Sequence, residues 1–382
     1  MLLLAYLAIF ASSVAAYPGS RDGYNNIISS FSRRASTDPL EPDSMELLGD
    51  LRAEYNGGTG GPKTDVGWTV WGILSGSAPA QSFTEWQGGL VNIDNAKCKA
   101  DTCCIWRHIA LEMEKVFRGA SGRCTAEARA AVRLGFHDAG TWSKFTDDYG
   151  GADGSVILSG LKGGEAELSR PENHGLQHIA DVTIGWWNKY KDYGIHMADL
   201  IQMGANVATV VCPLGPRVRT FVGRPDSSRP AVNGLLPNVF AEADQLVSLF
   251  ENKTIRVHGL TALVGAHTVS QQHFVDTSRS GDPQDSTPGI WDVDFYAETL
   301  SSNASTRVFK FPSDVKLSKH SLASAEWNKF ANVPGHWNED YAKEYVIRKP
   351  LADNSATVRN WLNGKSGKDI SDAIEAGNVV KR

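Results

Sequence analysis

Arg129-Ala-Ala-Val-Arg133-Leu-Gly-Phe136-His137-Asp138 is the stretch whose reading decides the fold. Arg133 and His137 stand one helical turn apart, so on a helix they share a face. Val132, Leu134 and Phe136 surround them, and a polar pair in so apolar a setting needs partners. Taken alone, an Arg-x-x-x-His pair usually marks solvated surface. The same pair is also what heterolysis of a peroxide requires: a neutral imidazole moves a proton from the bound peroxide to the departing oxygen. The permanent cation stabilises the charge that develops meanwhile. Ala128, Ala131, Leu134 and Gly135 recur at helical spacing in a helix that ends at Gly140, and Ile105, Ile109, Met113 and Val116 do so upstream.

Outward from this stretch, further helices are expected over Leu176 to Lys191, His196 to Val210, Ala241 to Phe250, Gly259 to Phe274 and Leu322 to Ala331. Strand-like alternation is scarce, and there is no internal repeat. The expected class is mainly α, one large domain over 91–382 in which helices from two halves enclose a cofactor. Residues 35–90, rich in Gly, Pro, Ser and Asp, read as an extension outside the core. Residues 1–16 form an apolar run ending in Val14-Ala15-Ala16, a signal peptide pattern that implies export. Residues 17–34 then form a possible pro-segment, and Arg33-Arg34 admits two readings, a dibasic processing site or two solvated arginines.

The 382 residues are 41% hydrophobic and 21% charged, which suits a packed core, and a net charge of -5 without a basic aromatic cluster argues against nucleic acid as partner. No membrane span is expected beyond the leader. Five cysteines, Cys98, Cys103, Cys104, Cys124 and Cys212, suit an oxidising compartment and leave one over. Asn252-Lys-Thr254 and Asn303-Ala-Ser305 match the glycosylation pattern.

The segment Arg133-Leu-Gly-Phe136-His137-Asp138-Ala resembles the distal helix of the plant and fungal haem peroxidase superfamily, and Glu167-Leu-Ser-Arg-Pro-Glu-Asn173-His-Gly-Leu resembles the segment beyond it. The secreted fungal branch related to lignin and manganese peroxidases matches best, because Phe136 stands where intracellular relatives place Trp. The resemblance implies the haem peroxidase fold, with distal and proximal helical halves enclosing one haem b. Asn173 then accepts a hydrogen bond from His137 and keeps the other ring nitrogen basic. Read by itself, Asn173 is equally a turn residue between Pro171 and Gly175.

Leu260-Thr-Ala-Leu-Val-Gly-Ala-His267-Thr268-Val resembles the proximal helix, which makes His267 the iron ligand. A lone histidine on an apolar helical face is usually a satisfied core residue; the small Gly265-Ala266 pair is expected to let a flat macrocycle approach the backbone. Asp314 matches the carboxylate that makes the proximal imidazole electron-rich, its alternative role being a helix cap. The resemblance also assigns two Ca²⁺ sites. Asp138, Gly151, Asp153 and Ser155 form one, and Thr268, Asp285, Thr287, Ile290 and Asp292 form the other, all hard oxygen donors. Asp- and Gly-rich loops are otherwise ordinary turns.

By position the resemblance pairs Cys98 with Cys104 and Cys124 with Cys212, leaving Cys103 single and the chain after Cys212 without covalent staples. Ala126, Ala130 and His273 occupy the positions of the manganese ligands, and Ala262 that of the surface Trp used for long-range oxidation, so neither route is expected. Trp142, Trp186 and Trp187 are read as packing. The implied activity is reduction of hydrogen peroxide with one-electron oxidation of phenols or similar donors at the haem edge, by a secreted monomer. The alternatives are a haem-binding structural relative without turnover, and a zinc hydrolase suggested by His174 and His178.

Overall fold

A computed structural model describes residues 65–351 and 368–374, apart from 75, 85, 87, 88, 147–149, 162 and 164. The signal peptide, the pro-segment with Arg33-Arg34, and the first part of the expected extension lie outside the described residues. Thirteen α-helices among those described follow in order: α1 (Asp65–Leu74), α2 (Ala96–Lys99), α3 (Thr102–Phe117), α4 (Ala126–Ala139), α5 (Ser155–Leu161), α6 (Gln177–Tyr190), α7 (Met197–Val211), α8 (Ala243–Glu251), α9 (Val257–Val264), α10 (Asp294–Leu300), α11 (Pro312–Ser318), α12 (Ser324–Phe330) and α13 (Pro334–Leu351). A two-residue β1 (Phe221–Val222) pairs antiparallel with β2 (Lys368–Asp369).

Helix α4 carries the opening motif and is set by local chemistry at both ends. Thr125 accepts from the Ala128 N–H at 3.2 Å as the N-cap, and the chain leaves at Gly140, where a Cβ would meet Leu236 at 2.8 Å. Gly135 in the helix interior costs about 1 kcal/mol relative to alanine. Packing requires it: a Cβ there would lie 2.5 Å from that of Ala205 and 2.6 Å from the Tyr345 hydroxyl. The close approach seats α4 on α7, whose 15 residues are all buried, and Gln202 of α7 donates to the Gly135 carbonyl at 3.1 Å. A helix buried on every side belongs at the centre of a domain, and its Asp199 is paired there with Arg224 at 2.8 Å. On α3, Ile105, Ile109 and Met113 are buried as expected, but Val116 is exposed and Phe117 takes the core position.

The segment read as an extension is partly core. On α1, Val66, Val70 and Ile73 are buried in the main hydrophobic cluster, and so is Ala80 after it. Glu339 of α13 accepts from the Ala80 N–H at 3.2 Å and from the Gln81 side chain at 2.8 Å. Apolar spacing hidden within a Gly- and Pro-rich composition was enough to hold this piece on the domain.

The helix expected over Gly259 to Phe274 also differs. It divides into α9 and a 3₁₀ turn, Gly265–Val269, after which Gln271 bridges Pro283 in extended form. Side chains from an aromatic core take over the carbonyls there: the Tyr296 hydroxyl donates to Thr261 at 2.8 Å and Trp337 Nε1 to Ala262 at 2.9 Å. Trp291, Trp327, Trp337, Tyr296, Tyr341, Phe295 and Phe330 are all fully buried in this core. Trp186 packs edge-on to Phe117 at 5.8 Å, while Trp142 and Trp187 are half-buried.

Both expected disulfides are present, Cys98–Cys104 and Cys124–Cys212, and Cys103 is a buried free thiol. The second closes 88 residues, which restricts the unfolded chain by about 4 to 5 kcal/mol. The first glycosylation sequon is corrected: Asn252 and Thr254 are buried, so a glycan on Asn252 does not fit the folded chain. Asn303 and Ser305 are exposed. Among the described residues no helix is long and apolar enough to cross a membrane.

Candidate active site

His137, near the end of α4, is held by hydrogen bonds at both ring nitrogens. Nδ1 lies 2.6 Å from Asn173 Oδ1, and Arg133 Nε donates to Nε2 at 3.2 Å. The asparagine amide is oriented in turn, because its Nδ2 donates to the Glu167 carbonyl at 2.8 Å. Arg133 is anchored by main chain, donating to the carbonyls of Glu172 at 2.6 Å and His174 at 2.8 Å. These acceptors sit on a short 3₁₀ turn, Pro171–Asn173, followed by Gly175 at φ 86°. Asn173 is thus a turn residue and the partner of His137 at once. The imidazole is half-buried; burial, joined by the neighbouring Arg133 charge and opposed by the Asn173 bond, pushes its pKa down to about 3.

Directly after His137, Asp138 is fully buried and Oδ2 accepts from the Gly154 N–H at 3.2 Å. Asp153 lies in the same cluster, its Oδ1 accepting from the Ser155 N–H at 2.9 Å, while the Gly151 carbonyl accepts from the Asp153 N–H at 2.8 Å. Asp138 Oδ1 and Ser155 Oγ are buried with no hydrogen-bond partner. Burial, then the charges of Asp153 and Glu167, push the Asp138 carboxyl well up; burial raises Asp153 to about 6. Glu167 is completely buried, and its Oε1 accepts from the Ala231 N–H at 2.9 Å. The sequence reading quoted Glu167 but gave it no role. Its carbonyl positions Asn173 and its charge bears on the acidic cluster.

On the other constellation, His267 rides the 3₁₀ turn after α9. Nδ1 lies 2.8 Å from Asp314 Oδ2, and Phe295 and Phe311 flank the ring at 5.6 and 5.4 Å. Among the described residues Nε2 has no hydrogen-bond partner. Asp314 lies in the first turn of α11, where Phe311 is the N-cap, so its carboxylate serves His267 rather than capping. Gly265 is corrected. A Cβ there would come within 2.3 Å of the Tyr296 hydroxyl and 2.6 Å of the Trp337 ring, so its smallness admits the aromatic core and not a macrocycle. Thr268 Oγ1 donates to Asp285 Oδ2 at 2.5 Å and lies 3.3 Å from Asp292 Oδ1 and 3.5 Å from the Ile290 carbonyl. Thr287 closes this second cluster, its hydroxyl 2.9 Å from Asp292 Oδ2. Burial pushes Asp285 up to about 7 and raises Asp292.

A family model described as Peroxidase matches residues 111–333, more than half of the chain and all of both constellations. The chain belongs to the peroxidase family. Among similar proteins, Ligninase LG5 of Phanerodontia chrysosporium is 30% identical over 254 residues, 61% of this chain and 66% of the relative. Ligninase C of Trametes versicolor is 31% identical over 257 residues, 60% and 66% respectively. Ligninase A of Phanerodontia chrysosporium is 29% identical over 350 residues, 79% and 91%. The matched region thus spans just under two thirds of the length of the first two.

This peroxidase has a donor set that fits haem: an imidazole whose Nδ1 is held by a carboxylate and whose Nε2 meets no partner among the described residues, and a separate histidine-arginine pair. The manganese positions bear no carboxylate, since Ala126 and Ala130 lie on α4 and His273 bonds Ser280 Oγ at 3.0 Å. Ala262 is fully buried. His174 and His178 do not meet a third ligand among the described residues; His178 pairs with Glu127 at 3.5 Å. Phe274 is a residue the sequence reading left unused. It is exposed, covers Gly175 where a Cβ would meet its ring at 2.6 Å, and lies 6.0 Å from the His174 ring.

Proposed function

We propose that this chain is an extracellular haem peroxidase that reduces hydrogen peroxide and oxidises phenolic or similar organic donors by one-electron steps. The observation that carries the reading is the hydrogen bonding of His137, from which its tautomer follows. With Nδ1–H donated to Asn173 and Nε2 accepting from Arg133, the lone pair faces the arginine, which is the arrangement a proton shuttle for peroxide needs. Nε2 takes the proton from one peroxide oxygen and delivers it to the other, which leaves as water when the O–O bond breaks. Arg133 must release Nε2 for this, and its other two donors stay on the Glu172 and His174 carbonyls, so the guanidinium remains beside the developing charge.

His267 would hold the haem iron through Nε2, with Asp314 raising the basicity of the ring and Phe136 lining the distal side. When bound, haem supplies the redox chemistry, accepting two oxidising equivalents from peroxide and releasing them singly to donors. Asp138, Gly151, Asp153 and Ser155 would hold one Ca²⁺, the orphaned Asp138 and Ser155 oxygens favouring a hard cation. Thr268, Asp285, Thr287, Ile290 and Asp292 would hold a second. Each cage adjoins a catalytic histidine in sequence, so each ion would brace the backbone that positions it. Phe274 with His174 offers exposed aromatic surface near Arg133 on which a phenol can stack. Export belongs to this reading and is supported by the two disulfides; in the same reading the enzyme acts as a monomer.

The test is a donor screen with the haem-loaded protein and hydrogen peroxide, comparing a phenol, a high-potential non-phenolic dye and Mn²⁺. Phenol oxidation with little turnover of the other two is expected. A stable Soret band without any turnover would favour the structural relative instead.

A further inference from the structure

Away from both constellations, two histidines and two carboxylates converge from three helices. His258 opens α9, Glu326 lies on α12, and His336 and Asp340 stand one turn apart on α13. Asp340 Oδ2 is 3.2 Å from Nε2 of His258 and 3.2 Å from Nε2 of His336. Glu326 Oε1 is 2.7 Å from His336 Nε2 and 3.8 Å from His258 Nδ1. His258 meets the two carboxylates through different ring nitrogens, so one ion takes one of those nitrogens. A ligand atom from each of His258, Glu326 and Asp340 lies within 4.8 Å of the others, close enough to converge on bonds of about 2.0–2.2 Å, while His336 holds both carboxylates from beside. Asp340 Oδ2 is buried and accepts no hydrogen bond, although two imidazole nitrogens stand beside it. The Phe330 ring closes one side, 5.8 Å from His258 and 5.3 Å from His336. Lys329 lies 3.4 Å from Glu326, and with 52% of its side chain exposed it can swing away.

We propose that His258, Glu326 and Asp340 bind a divalent first-row transition ion, with Zn²⁺ the best match and His336 supporting the two carboxylates. Mixed imidazole and carboxylate donors select such ions over Ca²⁺, which takes oxygen ligands in larger number. The site is separate from the oxygen cages and independent of the reading of the chain as a catalyst. Its consequence is mechanical. It ties the start of α9, the helix leading to His267, to α12 and α13, in the part of the chain that follows Cys212 and has no further cysteine. One ion there would cross-link three helices where no disulfide does.

The experiment titrates haem- and calcium-loaded protein with Zn²⁺ by calorimetry and repeats thermal unfolding with and without the ion. One equivalent is expected to bind in the micromolar range and raise the unfolding midpoint. His258→Ala and Asp340→Asn should weaken binding by more than the roughly 10- to 100-fold that loss of a supporting partner such as His336 costs, and His178→Ala should leave it unchanged. Absence of saturable binding, or equal binding by Asp340→Asn, overturns the site. Should either variant fail to fold, anomalous diffraction at the zinc edge from wild-type crystals decides: a peak among the four side chains supports the proposal, and a peak elsewhere or none refutes it.

Discussion

Asn173 faces His137 with its oxygen because its nitrogen is already committed: Nδ2 donates to the Glu167 carbonyl at 2.8 Å, while Oδ1 lies 2.6 Å from His137 Nδ1. A flipped amide would set Oδ1 against the Glu167 carbonyl, two acceptors facing each other, so the oxygen stays toward Nδ1, which carries the proton. Asn173→Leu should slow the peroxide step by about 10- to 100-fold while the haem spectrum stays intact. Stopped-flow mixing with peroxide reads this directly; an unchanged rate would reduce Asn173 to a turn residue.

The acidity of His137 sets a pH window. Its folded pKa, pushed down to about 3 by burial and Arg133, lies below the ordinary 6.5, so the neutral base persists into acid. The peroxide step should hold its rate below the ordinary histidine range and fall only as the pH approaches about 3. The same group contributes stability that is fully present above the ordinary value and is lost progressively as pH falls through the folded one. His137→Ala should cost about 10²- to 10⁴-fold, the usual worth of general acid–base catalysis. A rate that drops near pH 6 in the wild type would contradict the depressed pKa.

Asp314 shares its carboxylate with His267 at 2.8 Å and is buried. Asp314→Asn keeps the shape and removes the charge, so His267 donates less electron density. The ferric/ferrous potential should move positive in a spectroelectrochemical titration. If the potential stays put, the carboxylate only orients the ring.

Calcium removal tests the two oxygen cages. A chelator should lower the unfolding midpoint, and calcium restored to about 100 times its Kd should return about 2.7 kcal/mol per site. Differential scanning calorimetry with Asp285→Ala separates the cages, since that variant should retain one calcium-dependent increment. A midpoint indifferent to chelation would leave the orphaned Asp138 and Ser155 oxygens without this explanation.

Phe274→Ala removes the exposed ring beside His174 and Arg133. An aromatic contact is worth about 0.5 to 1.5 kcal/mol, so the KM for phenols should rise about 2- to 10-fold with the peroxide step unaltered. Steady-state assays at fixed peroxide check the split, and an equal loss in the peroxide step would place Phe274 in the distal machinery instead.

Helices α4, α6, α7 and α8 fall close to where apolar spacing places them, because each face is a local periodicity of its own residues. Composition misled at α1, where Gly and Pro around the segment hid Val66, Val70 and Ile73. It misled again at Asn252, whose acceptor pattern carries no information about burial. Glu167 and Phe274 gave weaker signals: a buried glutamate and an exposed aromatic are recognisable only when their surroundings are in place.

What the sequence by itself determined was the chemistry of each stretch: Arg133 and His137 on one helical face, His267 directly after an apolar helical run, and two oxygen-rich loops, each a property of neighbours within a few residues. Tertiary structure alone decided which partners they meet. Asn173 and Asp314 reach their histidines across 36 and 47 residues of chain. The end of α9 and the inward face of Gly265 depend on Tyr296 and Trp337, donors supplied by distant helices. Hydrogen bonds and close packing are short-ranged in space, not in sequence, so only the folded chain settles them.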